Sequence, residues 1–226
     1  MQCVILAAGR GTRMGDLCND IPKPMLFLRG KPKLAYTIEM LPDAIDEVII
    51  IVGYLKEKII HYFGDTYKGK KIQYIIHEEI DGTGKILHSA KSILKERFLV
   101  IMGDDLYKKE DLENLMKYEL AVLAIEVEDS SQFGVLKTDD QGNLKDILER
   151  PHDPNFRLVN TAAYMLTQEY FSYPLVKISQ TEYGLPQTLV NMKDKNNIQV
   201  LRAVDWFPIG NPQALVLAQE RIIDFI

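Results

Sequence analysis

The chain has 226 residues, 46% of them hydrophobic, with a net charge of −5 and two cysteines. That length supports one well-buried core or two small ones, and the acidic balance excludes a general nucleic-acid or membrane-surface binder, which needs basic surface. No apolar run reaches the roughly 18 residues that span a bilayer, and "MQCVILAAG" has no positive region ahead of its apolar stretch. We therefore expect a cytoplasmic protein with Cys3 and Cys18 as free thiols and no structural zinc.

The first element, "CVILAA", reads as a buried strand that runs into "GRGTRMGDLCNDIPKPML". Gly9 and Gly11 open a loop, but a dinucleotide fingerprint would need a third glycine at Met14, and no Walker A pattern follows either glycine. What remains is a loop whose backbone can approach a phosphate or base closely, followed by Arg13 and by Lys23 between Pro22 and Pro24. A solvated turn explains the glycines but not a lysine fixed between prolines. Residues 1–33 also carry six cations (Arg10, Arg13, Lys23, Arg29, Lys31, Lys33) against Asp16 and Asp20, an excess that would focus a small polyanion.

Further strands, "EVIIIVG", "KIQYII" and "RFLVIMGDD", alternate with the helical patterns "KLAYTIEML", "YLKEKIIHYF" and "GKILHSAKSIL". Continuous apolar strands fit a parallel sheet covered by helices on both faces, with the binding cleft at the strands' C-terminal ends. "KKEDLE" reads as a solvated helix start with acids in its first turn. Beyond about residue 119, "LAVLAIEV", "FGVLKTDD", "NLKDILERP" and "VNTAAYMLT" read as successive strands of a mixed second half that supplies a substrate wall. In "GNPQALVLAQERIIDF", Asn211 caps a helix and Pro212 fits its first turn. No repeat, linker or low-complexity tract interrupts the chain.

The order of "LAAGRGTRM", "PKPML", "DGTGKILHSA", "VIMGDD", "FGV", "LERP", "VNTAAY" and "WFPIGNP" resembles the sugar-1-phosphate nucleotidylyltransferases, or nucleotide-sugar pyrophosphorylases, along the whole chain. The resemblance implies an α/β fold: a Rossmann-like three-layer α/β/α domain with a mixed, mostly parallel central sheet, of the nucleotide-diphospho-sugar transferase type. It implies the catalytic domain alone, a single domain over 1–226, with 1–118 binding the nucleotide and 119–226 the sugar phosphate. The expected partners are an NTP and a sugar 1-phosphate, not nucleic acid or membrane, and a homo-oligomer is left open.

Similarity to the family assigns Arg13 to the leaving pyrophosphate and Lys23 to the α-phosphate, with Leu6, Ala7, Ala8, Gly9, Gly11 and Thr12 cradling the nucleotide. Gly82 and Thr83 match its base-contacting pair, while His77 stands where a Gln or Glu usually reads the base; a strand-end histidine without a ligand role is the equal alternative. Gly134, Glu149, Arg150 and Asn160 match sugar-side positions, with Arg150 in place of a lysine and Ala162 in place of a glycine. Asp104 matches the Mg²⁺ ligand. The usual second aspartate is Pro208, Asp205 would point to the opposite face of a strand, and Asn211 is the candidate second ligand although a helix cap competes for its oxygen. His61, His88 and His152 show no metal-ligand spacing.

The implied chemistry needs no general base, because a sugar 1-phosphate already carries an ionised oxygen; it needs positioning, cations and a metal. Two other readings are open: a cytidylyltransferase acting on phosphocholine or a similar phosphorylated alcohol, and a non-catalytic nucleotide-sugar-binding regulatory module. Glu149 and Asn160 favour a polyol over a quaternary ammonium, for which an aromatic cage is expected.

Overall fold

Gln2–Ala7 is buried at every position, because it takes parallel partners on both sides, Glu47–Val52 and Arg97–Met102. Lys70–Ile76 extends the parallel run beyond Glu47–Val52. The computed structural model describes residues 1–151, 153 and 155–226, so His152 lies outside the described residues. Side chains alternate between the two faces of the first strand: Cys3, Ile5 and Ala7 enter one core with helices Lys33–Glu39 and Lys56–Phe63. Val4 and Leu6 enter the other, with Thr83–His88 and Leu185–Val190. The result is helix, sheet and helix in three layers, which is why the inner strands carry no polar face, while Lys70–Ile76 keeps Lys71 and Gln73 on one.

The second half continues the same ten-stranded sheet as a mixed part, in which Leu158–Thr167 and Leu144–Glu149 run opposite to the parallel strands. Leu158–Thr167 runs antiparallel to Arg97–Met102 on one side and to Ala121–Glu126 on the other. Gly134–Thr138 and Leu144–Glu149 follow as an antiparallel pair, and Gln199–Arg202 joins Ala121–Glu126 in parallel. Between Asn160 and Tyr164 the register of the long strand shifts, since these residues face Ala124 and Val122. The extra residues form a bulge with Ala162 in the left-handed region at φ 59°.

Several local readings change. The helix expected over 84–94 stops at His88. Asp111 in "KKEDLE" is not solvated but buried, its carboxylate accepting from the backbone N–H of Val204 at 2.9 Å and clamping the loop before Trp206. Asp105–Tyr107 pairs antiparallel with Trp206–Pro208, a contact without a local sequence signal. Asn211 does cap Pro212–Arg221, accepting from Ala214 N–H at 2.8 Å. Cys3 and Cys18 are buried free thiols, and no helix among the described residues is long and apolar enough to cross a membrane.

Candidate active site

The loop after the first strand is shaped around Lys23. Gly11 sits at φ 68°, and a Cβ there would come 2.9 Å from Lys23 Cβ and 3.0 Å from Cys18 Sγ, so position 11 is glycine for both backbone and space. Pro22 holds extended backbone and Lys23–Met25 forms one 3₁₀ turn that aims the buried Lys23 ammonium at the Asp104 carboxylate, with which it pairs. Arg13 is exposed on the same loop and faces Gly210 across the cleft, where a Cβ would lie 3.7 Å from Nη1. Its guanidinium makes no ion pair among the described residues.

Two clefts meet at this point. The first, about 450 Å³, is lined by Leu6, Ala7, Gly9, Gly11, Thr12, Thr83 and Glu182. The second, about 480 Å³, is lined by Met102, Asp105, Gln132, Phe133, Arg150, Asn160, Ala162, Trp206, Pro208 and Asn211. Arg13, Lys23, Asp104 and Gly210 line both. A recess of about 250 Å³, lined also by Ala8, Glu79 and Gly82, adjoins the first cleft through Gly9, Gly11, Thr12, Thr83 and Glu182. Gly82, at φ 91°, rests on the Tyr183 backbone, where any Cβ would collide at 2.4 Å, and Thr83 Oγ1 accepts from Leu185 N–H at 3.1 Å.

Of the six early cations, only Arg13 and Lys23 line the two clefts. Arg29 donates to the Gln219 carbonyl at 2.6 Å, Lys31 pairs with Glu39 at 2.5 Å, and Arg10 lies over the Tyr54 ring at 6.0 Å. Lys33 is fully buried, its ammonium without a hydrogen-bond partner among the described residues. Burial pushes Lys33 down to about 8, against an upward pull from Asp104. Burial alone would raise Asp104, yet Lys23, Lys33 and Arg13 hold it below the ordinary carboxylate value. Asp105 is pushed the other way, up to about 7, by burial and by the Asp104 charge. Its Oδ2 accepts from Trp206 Nε1 at 3.1 Å. Asp105 was visible in "GDD" as a second acid, Phe133 in "FGV" and Trp206 in "WFPIGNP"; Lys33 counted only as one of six cations, and Glu182 gave no local signal.

Other expected residues stay outside the clefts or line them with their polar atoms already engaged. His77 is buried with Nε2 2.7 Å from Asp81 Oδ1, and it lines neither cleft nor the adjoining recess. Glu149 Oε1 accepts from Gln187 Nε2 at 2.5 Å and packs against Gly134 outside the second cleft. Asn160 lines that cleft, but its amide is spent on the bulge: Oδ1 accepts from Ala162 N–H at 2.9 Å and Nδ2 donates to Tyr164 OH at 2.7 Å. Asp205 is committed to Arg221 at 2.5 Å and Asn211 Oδ1 to its helix cap. His88 packs edge-on to Phe171 at 5.0 Å within the second core.

Chemically, the arrangement offers two adjoining compartments, an uncommitted guanidinium, an oriented ammonium and two carboxylates, the inventory for bringing two phosphorylated molecules together. The nucleotidyl transferase family model matches residues 2–224. The bifunctional protein GlmU of Methanocaldococcus jannaschii is 34% identical over 229 residues, all of this chain but 55% of that protein. This chain thus spans about half the length of such relatives. The UTP–glucose-1-phosphate uridylyltransferase AglF of Haloferax volcanii is 30% identical, covering 98% of this chain and 96% of its own length. A solved UDP-glucose pyrophosphorylase complexed with UDP-glucose shares the fold, with a TM-score of 0.83 at 22% identity over 99% of this chain and 98% of that one.

Proposed function

This chain belongs to the nucleotidyl transferase family, and we propose that it transfers an NMP group from an NTP to a sugar 1-phosphate, giving an NDP-sugar and pyrophosphate. The observation that carries this reading is the pair of clefts sharing Arg13, Lys23 and Asp104. An acceptor phosphate in one cleft and an NTP in the other would meet at these three side chains. The acceptor oxygen is already ionised, so positioning and charge stabilisation carry the rate. The glycine loop cradles the triphosphate, Lys23 holds the α-phosphate and Arg13 receives the charge on the departing pyrophosphate.

A divalent cation, Mg²⁺ in our reading, fits the donor set, since hard carboxylate oxygens line the cleft floor at Asp104 and Asp105. Asp104 would hold it, and when bound it neutralises charge on phosphate oxygens. Pro208 offers no side-chain donor at the matching position.

One observation favours a second reading. Phe133 and Trp206 pack edge-to-face at 5.4 Å in the second cleft, while Glu149 stands outside it. An aromatic wall beside Asp105 suits a phosphorylated alcohol with an apolar or cationic end, such as phosphocholine. Crossing four NTPs with several sugar 1-phosphates and phosphocholine, read by pyrophosphate release, separates the two. Turnover with a sugar 1-phosphate supports the first, turnover with CTP and phosphocholine alone replaces it, and no turnover with any pair leaves a binding module.

A further inference from the structure

We propose that Asp105 holds a divalent cation jointly with Asp104, as the second carboxylate of the site. Asp105 is 8% exposed, and what it exposes lies in the cleft shared with Arg13, Lys23 and Asp104. Its carboxylate is half engaged: Oδ2 accepts from Trp206 Nε1, while Oδ1 has no hydrogen-bond partner and no lysine or arginine pairs with the group among the described residues. Asp104, by contrast, has Lys23. Asp105 is thus a carboxylate at this point with an oxygen unengaged, next in sequence to the Asp104 carboxylate, and a cation held by both would engage it.

The other candidate donors are accounted for. Pro208 lies directly opposite Asp105 in the strand pair and has no donor atom. Asp205 is tied to Arg221, and Asn211 Oδ1 is tied to the helix that it caps. The indole N–H fixes the orientation of the Asp105 carboxylate, as partners of metal-ligating carboxylates do. Trp206 is in turn held by the Asp111 clamp on Val204 and Asp205.

The inference rests on the nucleotidyl-transfer reading, and binding separates the two without any turnover. Mn²⁺ is titrated by electron paramagnetic resonance in the presence of inorganic pyrophosphate, a product whatever the base. Wild type should bind Mn²⁺, and Asp105→Asn should weaken binding by about tenfold or more. Trp206→Phe keeps a ring against Phe133 but removes the N–H; it should weaken Mn²⁺ binding by about tenfold as well. Thermal transitions check that each variant is folded. Wild-type Mn²⁺ affinity in folded Asp105→Asn, or in Trp206→Phe should the first variant not fold, overturns the assignment and leaves nucleotidyl transfer standing. A wild type that binds no Mn²⁺ with pyrophosphate overturns both.

Discussion

Gly11 and Lys23 are in contact: a single added Cβ on residue 11 would stand 2.9 Å from Lys23 Cβ. The glycine loop and the lysine turn are thus one unit. Gly11→Ala should cost about 2 kcal/mol from the left-handed backbone alone, lowering Tm by roughly 4 to 8 °C in a chain of this size. Because the overlap falls on Lys23, kcat/KM should drop further than the stability loss explains. Calorimetry and pyrophosphate release on the same preparation test this, and a variant with lowered Tm but wild-type turnover would separate the two elements.

Lys23→Met keeps the bulk of the side chain and removes the charge. Loss of one donor to developing negative charge typically costs about 3 kcal/mol, or roughly a hundredfold in kcat. A loop lysine would leave stability untouched, but Lys23 is buried against Asp104, so Tm at neutral pH should fall as well. Lys23 is the leading cation that depresses Asp104. A depressed carboxylate contributes stability above its unfolded value that is lost as pH falls through the folded one. The Tm gap between wild type and variant should therefore narrow on acidification, and a constant gap would remove the ion pair as its cause.

Lys33→Met should stabilise the protein. Burial lowers the Lys33 ammonium from 10.5 to about 8, so the folded state binds fewer protons than the unfolded state between those values. Wild-type stability should rise across that window, and the charged form costs up to about 3 kcal/mol below it. The variant should melt higher at neutral pH, with the advantage shrinking above pH 8. Equal melting temperatures at neutral pH would mean that the ammonium is compensated in solution.

Arg150 and Glu149 are neighbours with different surroundings. Arg150 lines the second cleft, while Glu149 is held by Gln187 outside it. Arg150→Ala should raise the acceptor KM by about tenfold, the scale of one charge-assisted hydrogen bond, with the NTP KM little changed. Glu149→Gln should move neither by more than about twofold. Steady-state kinetics with each substrate varied in turn decides, and the reverse ranking would put Glu149 in the acceptor site.

The parallel core was legible because its strands are uninterrupted apolar runs, and the glycine loop was legible because Gly9, Gly11, Arg13 and Lys23 are close in sequence. Asn211 and Pro212 announced their helix by capping chemistry alone. What stayed hidden depends on partners far along the chain. Nothing near "GKPKL" says that Lys33 is sealed from water, and nothing near Asp105 says that Trp206 will donate to it. The amide of Asn160 looked free to meet a hydroxyl, but the bulge uses both of its ends.

The pairing of Trp206–Pro208 with Asp105–Tyr107 also orders events during synthesis. The parallel strands leave the ribosome early and pair with one another, whereas the glycine loop packs through Met14, Cys18 and Leu26 against Leu215 of the last helix. The second cleft needs Trp206, Pro208 and Gly210, so it cannot close until nearly all of these residues have been translated. The first cleft waits as well, because Glu182 and Gly210 line it, so a nascent chain interrupted before Gly210 has neither compartment complete.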